Sequence, residues 1–385
     1  MKYLNNKKIL TEYVIYIFSI VLQILFILAS AKFLTDEAFV KFNVYIAFIN
    51  IGVLVINCTT LNYLIINTND RLSPMIFENL SALLVLPISF MLLDESYITI
   101  FFIFTMVILK LNLNLYCRHF LVNNKLIQSL LYNFFGNSIW ILFAIVYYLI
   151  WEKITINILF LIWVIILAIT CFFYLINNSI KLKFNKIIMK RYVNFFFKNF
   201  HFSFLFPSYL NFERIVFFKV FSSIGLLATY TIFSKIINLI YEFTSGFIIQ
   251  KKIGKNFKIN NIYIFISIIF INIIFFNVYN ISYFNNLIVE LFSGKIHTLH
   301  EGILPFMIVN LTFYGFLRLL YVDMVKSKKF KNIFYIVLAI YSSFLLIIFL
   351  KPSMHISLLI ESFLIAIACL YSYIIALHDP KVPNK

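Results

Sequence analysis

Charge is what this chain has least of. Asp, Glu, Lys and Arg make up 12% of its 385 residues, against roughly 25% in an ordinary soluble domain. Hydrophobic residues reach 63%, and the mean hydropathy is +0.96. That balance excludes a soluble globular protein. Glycine is scarce too, with 8 residues in all. No Gly-x-x-x-x-Gly-Lys phosphate loop exists, so no ATP site is visible. Gly-x-Ser-x-Gly and His-Glu-x-x-His are likewise missing, which removes the hydrolase classes they mark. Cys58, Cys117, Cys171 and Cys369 are dispersed and form no disulfide or zinc spacing. His297 and His300 beside Glu301 have a metal-like spacing but no further ligands nearby. The sequence therefore implies no cofactor, no metal and no catalytic group.

What the chain has is long apolar runs. They occur near 13–33, 43–66, 75–93, 97–116, 126–150, 155–176, 199–221, 226–249, 261–282, 302–322, 332–350 and 355–377. Crossing a bilayer as a helix takes roughly 20 such residues. The short alternating strands of a membrane barrel are not seen. The expected class is an all-α polytopic membrane protein with about 12 transmembrane helices. Its longest polar break is basic and begins at Asn177. It divides the chain into an N-terminal lobe, 1–176, a cytoplasmic linker, 177–198, and a C-terminal lobe, 199–385. With six spans in each lobe, the two repeats run parallel.

The net charge of +17 invites a nucleic-acid reading. The positions of the charges argue otherwise. With both termini cytoplasmic, 24 of the 32 Lys and Arg residues fall inside and 7 outside, while Lys235 lies mid-span. That is the asymmetry of the positive-inside rule. The basic loops are topology signals and contacts for anionic lipid headgroups. Nucleic acid is not an expected partner. Lys110 and Arg318 are expected to snorkel to the inner interface, and Glu78 to sit at that interface near a helix N-terminus.

A polar stripe recurs at an offset of 188 residues. Asn43, Asn50 and Asn57 are seven residues apart in the second run; their counterparts are Thr231, Asn238 and Ser245 in the eighth. In the eighth run Lys235 and Glu242 join the same helix face. Lys235 lies ~14 Å below the outer end at 1.5 Å per residue, and a charge at that depth has to face protein or water. Two readings stand for it: a cavity cation that attracts an anionic substrate, or a structural link to Glu242. Two stand for the asparagines as well: partners for sugar hydroxyls, or interhelical hydrogen bonds. Glu213 and Arg214, in the seventh run, line a cavity or reach the outer interface. Glu361 is a weaker candidate in the last run.

Some of these residues carry a family resemblance. Leu34–Phe42 and Ser222–Tyr230 are matching short loops leading into the second and eighth runs. They resemble the loop followed by Gly-x-Tyr found in bacterial polysaccharide flippases of the multidrug/oligosaccharidyl-lipid/polysaccharide (MOP) superfamily. Val40 and Ala228 stand at the usual glycine positions, and Phe42 replaces one tyrosine. Phe204–Pro207 through Asn211–Val216 is similar to that family's seventh helix, which begins with Pro and ends with an acidic-Arg pair, here Glu213-Arg214. Ile20–Leu25 is similar to its opening helix.

The resemblance implies an O-antigen (Wzx-type) flippase of the bacterial inner membrane. It would move undecaprenyl-pyrophosphate-linked oligosaccharide of the O-antigen, lipopolysaccharide or capsule kind by alternating access. Its partners would be the lipid-linked oligosaccharide, membrane lipids, and polysaccharide polymerase and assembly proteins. Two other classes compete. Asp36-Glu37 is similar to the acidic pair of membrane glycosyltransferases, but those enzymes and O-antigen polymerases have a much larger loop than this chain holds. A small-molecule exporter of the same fold would favour a cavity of aromatics and carboxylates over amides and lysine.

Overall fold

Helices carry the described backbone, and no strand occurs among the described residues. The computed structural model describes residues 2–60, 63–64, 72–92, 95–123, 125–177, 186–241, 303–326 and 330–377, with a few single positions between 266 and 290. The chain forms two compact units. One holds residues 1–212 with 253–255; the other holds 213–252 and 256–385.

The first unit contains α1 (Lys2–Phe33), α2 (Asp36–Asn57), α3 (Leu72–Ala82), α4 (Val85–Leu92), α5 (Tyr97–Val122), α6 (Leu126–Asn137), α7 (Trp140–Trp151), α8 (Ile156–Asn177) and most of α9 (Lys186–Val220). Its core is α5, which packs against α2, α3, α4, α6 and α8. Ile103, Met106, Val107, Leu111 and Leu113 of α5 are fully buried there. The second unit contains α10 (Ile224–Tyr241), α11 (Leu304–Lys326), α12 (Phe330–Leu350) and α13 (Met354–Leu377). In it α11 lies along α13 and also touches α10 and α12.

Large apolar side chains point outward along these helices, among them Phe101, Leu149, Phe172, Phe349 and Phe363. Water does not tolerate so much exposed hydrocarbon on a soluble monomer, whereas lipid does. Seven helices among the described residues are long and apolar enough to cross a membrane. Three shorter apolar helices, 224–236, 304–317 and 338–350, add to them. The ninth expected run, 261–282, lies almost wholly outside the described residues, as do the end of the eighth and the sequence around His297 and His300.

Two expected spans are broken rather than continuous. The run 75–93 divides between α3 and α4 at Leu83 and Leu84, where the amides turn back three residues, to Leu80 and Ser81. Pro87 explains the break: its ring clashes with the carbonyl four residues earlier, that of Leu83. The run 126–150 divides between α6 and α7 at Ser138 and Ile139. No proline lies there. The break is held instead by indoles: Trp140 Nε1 donates to Asn137 O at 3.1 Å, and Trp163 Nε1 donates to Gly136 O at 3.1 Å. A Cβ at Gly136 would meet Leu113 Cδ2 at 2.5 Å, so any side chain there requires Leu113 to shift.

Scarce glycine shows at helix ends. Glu152 after α7 and Lys351 after α12 adopt φ of 55° and 43°, the left-handed region that glycine fills without steric cost. Residues 186–198, within the stretch read as linker, form the start of α9. At 35 residues that helix is ~52 Å long.

The 188-residue offset reaches the hydrogen bonds. Thr35 caps α2 by accepting from Ala38 N at 3.3 Å; Ser223 caps α10 by accepting from Leu226 N at 3.4 Å. Inside each helix the stripe residue bonds back one turn. Asn43 Nδ2 donates to Phe39 O, and Thr231 Oγ1 donates to Leu227 O. Every pair is separated by 188 residues.

Candidate functional site

Polar groups inside apolar helices need partners, because an unsatisfied one in hydrocarbon costs several kcal/mol. The first unit meets this need in two clusters. The first lies midway along α5 and centres on Lys110. Lys110 is flanked by 13 residues of α5 before it and 12 after it. Its Nζ donates to Asn50 Oδ1 at 3.2 Å and stands 4.2 Å from the centroid of the Trp163 ring. Asn50 Nδ2 in turn reaches Asn211 Oδ1 at 3.5 Å, the long limit of a hydrogen bond. Trp163 stacks on Trp140 at 4.6 Å. The indole pair that closes the α6–α7 break is thus also the floor under the ammonium group.

This corrects the expectation that Lys110 snorkels to the inner interface. The apolar run ends near residue 116, but the helix continues to Val122. Arg118, which ended the run as a charge, is absorbed into the unit. Its Nη1 donates to Asn57 O at 2.6 Å. The added turns move Lys110 to the middle.

The second cluster surrounds Glu78, which is 1% exposed. Thr60 donates to its carboxylate. Tyr192, from the start of α9, lies 2.9 Å from the Thr60 hydroxyl and 3.5 Å from Glu78 Oε1. Arg118 is close enough to act on Glu78 electrostatically. Glu78 is therefore a buried carboxylate in a hydrogen-bonded network, with partners from just past the end of α2 and from the start of α9.

The stripe of α2 divides by role. Asn43 is buried and spends its amide on Phe39 O. Asn57 is buried, and its backbone carbonyl holds Arg118. Of the three, Asn50 is the one whose amide side chain contacts a charged side chain.

The second unit has its own polar core. Glu213 on α9 is 2% exposed and lies within electrostatic reach of Tyr230 of α10, itself within reach of Glu361 of α13. Asn310 of α11 donates Nδ2 to Glu361 Oε2 at 3.0 Å. Four helices thus bring two carboxyls, a phenol and an amide into one buried group. Arg214 lies within electrostatic reach of Glu213 and of Lys235. Lys235 and Asn238 are half-buried on α10. Glu242 and Ser245 lie outside the described residues.

Sequence reasoning passed over Asn211, Trp163, Tyr230 and Asn310. None is charged, and neutral polar or aromatic residues are frequent in this chain. Glu361 was visible as a lone acid in an apolar run, and the contact with Asn310 is what raises its standing.

No family model matches the sequence, and no curated protein matches it significantly. Among solved structures the chain resembles the eukaryotic MATE transporter AtDTX14. The likeness covers 97% of this chain and 96% of that one, at a TM-score of 0.56 and 12% identity. What such a likeness carries is the fold alone: the described residues are helical, in an architecture like that of this MATE transporter.

Proposed function

We propose that the chain is a transporter of the bacterial inner membrane that moves a lipid-linked oligosaccharide from the inner to the outer leaflet by alternating access. The observation that carries this reading is the group of Asn50, Asn211 and Lys110 midway along α5, with Lys110 over the Trp163 ring. An intramembrane ammonium is costly, ~2.5–3.5 kcal/mol on insertion scales, and such residues mark substrate paths. Here it is offset by neutral partners rather than by a carboxylate, so its charge stays available to an anion such as a lipid pyrophosphate. The amides offer both donors and acceptors to sugar hydroxyls. Lys235 and Asn238 supply the same chemistry in the second unit. The buried Glu213 and Glu361 provide a place for a proton or cation whose movement drives the cycle. The two lobes, 1–176 and 199–385, would each contribute polar residues to the path, with the lipid tail left in the bilayer. Polysaccharide polymerase and assembly proteins are the partners that product would meet.

Export of a small molecule is the second reading. The fold of a MATE transporter and the carboxyl–phenol core of the second unit favour it. Deleting the gene and analysing lipid-linked glycans separates the two. Complete repeat units held on the cytoplasmic leaflet support flipping. An unchanged glycan profile sinks the glycan reading and leaves small-molecule export.

A further inference from the structure

A third polar site occurs in the first unit, away from the Lys110 and Glu78 clusters. It is a cavity of about 500 Å³ at the end where α2, α5 and α8 begin, which the charge count places outside. The volume falls within the usual range for small-molecule pockets, roughly 300–1,000 Å³. Glu37, Lys41, Tyr45, Glu95, Thr99 and Asn157 are the lining residues that matter. Nothing in the reading of the transport path uses it.

Its chemistry selects among ligands. Three helix N-termini meet here, which would ordinarily attract an anion. One amide at each is already capped: Thr35, Ser96 and Thr155 accept from Ala38 N, Thr99 N and Ile158 N at 3.3–3.4 Å. Two carboxylates on the wall further repel an anion. A simple cation is poorly served as well. Glu37 is paired with Lys41 at 3.0 Å, and Glu95 lies within electrostatic reach of Lys41 and Tyr45. Among the described residues no group of three or more metal-binding side chains is present. What is left is a mixed set of short-range partners. The carboxylates accept, Lys41 donates, and the Tyr45 hydroxyl does both. The Asn157 carbonyl already accepts from Thr99 Oγ1 at 2.9 Å, leaving its amide nitrogen as a donor. Phe33 and Tyr45 add ring surface to the lining. Alternating donors and acceptors beside an aromatic face match a ring bearing several hydroxyls.

We propose that this cavity binds a neutral sugar residue and serves as a holding site for one end of the glycan. The proposal rests on the reading that a glycan is the cargo, but it concerns a separate place and is tested without transport. The full chain, purified in detergent, is titrated with N-acetylglucosamine and with the methyl glycosides of glucose and galactose, and binding is followed by saturation-transfer NMR. At least one sugar binds, and its affinity falls at least tenfold in Glu95→Gln. Asn157→Ala serves as the second variant, and both are checked for unchanged elution as folded protein. The proposal is overturned if no sugar binds. It is equally overturned if binding survives both substitutions, or if spermidine, added as a cationic probe, binds through Glu95 while sugars do not. Sugar binding lost in Glu95→Gln alongside an unchanged glycan profile on gene deletion would sink the flippase reading and keep the cavity. Glycan accumulation without sugar binding would do the reverse.

Discussion

Lys110 is where residue chemistry bears most directly on function. Removing only its charge is the informative change, because truncation would also open a void. Lys110→Met keeps most of the volume. It also leaves Asn50 Oδ1 without its donor, at a cost of ~1–3 kcal/mol. The expected result is loss of most surface glycan with protein level near wild type, read by glycan staining beside an immunoblot. Wild-type glycan in Lys110→Met would make the ammonium a packing device. Glu361→Gln asks a different question. Glutamine still accepts from Asn310 but cannot take up a cation or a transferable proton. Transport should fall at least tenfold, and Glu213→Gln with Glu361→Gln should be no worse than either alone if the two act as one group. Additive losses would separate them. At this scale the sequence was only partly legible. Lys110, Glu213 and Glu361 stood out because charge is rare here. Their partners did not, since an asparagine that binds a lysine and one that bonds its own helix, such as Asn43, look alike until the neighbouring helices are in place.

Whole helices were legible as apolar runs, but their interruptions were not. Pro87 could have been read as a break between α3 and α4. The Ser138 break could not, because its stabilising groups come from Trp140 and, across the unit, Trp163. The close approach at Gly136 is a further tertiary requirement. Gly136→Ala forces a methyl to within 2.5 Å of Leu113, and overpacking of this kind costs ~1–3 kcal/mol. A fall in the thermal midpoint of the purified protein, reversed in part by Leu113→Ala, would show it; an unchanged midpoint would mean that α5 and α6 yield freely. The opposite sign is expected at the end of α12. Lys351 holds a φ of 43°, which costs an L-residue roughly 1–2 kcal/mol. Lys351→Gly should therefore raise the midpoint. If it lowers it, the lysine side chain contributes more than its backbone costs.

Taken as one molecule, the chain shows its architecture twice, once in charge and once in repeated bonds. The distribution of Lys and Arg predicts both termini in the cytoplasm. Alkaline phosphatase fused after Lys153 should be active and after Lys183 inactive, while a fluorescent protein after Lys385 should fluoresce. The reverse pattern would invert the assignment of inside and outside, and with it the side on which the α2–α5–α8 cavity opens. The matching caps of α2 and α10 were implicit in the sequence at a spacing of 188, since a threonine and a serine at equivalent positions do the same job. The second lobe was less legible in its chemistry. Its acids, amide and phenol are drawn from four helices far apart in the chain, and no spacing rule joins Glu213 to Glu361.

The stacked indoles beneath Lys110 have an optical consequence. The chain contains three tryptophans, and two of them, Trp140 and Trp163, are ring to ring at an interplanar angle of 11°. Two transition dipoles held so close couple, and a cation 4.2 Å from one of them shifts its levels. The third, Trp151, is 59% exposed and stacks on Tyr147 instead. Near-ultraviolet circular dichroism of the unlabelled protein is therefore weighted toward the Lys110 cluster, and the arrival of an anion there would be written directly into the spectrum.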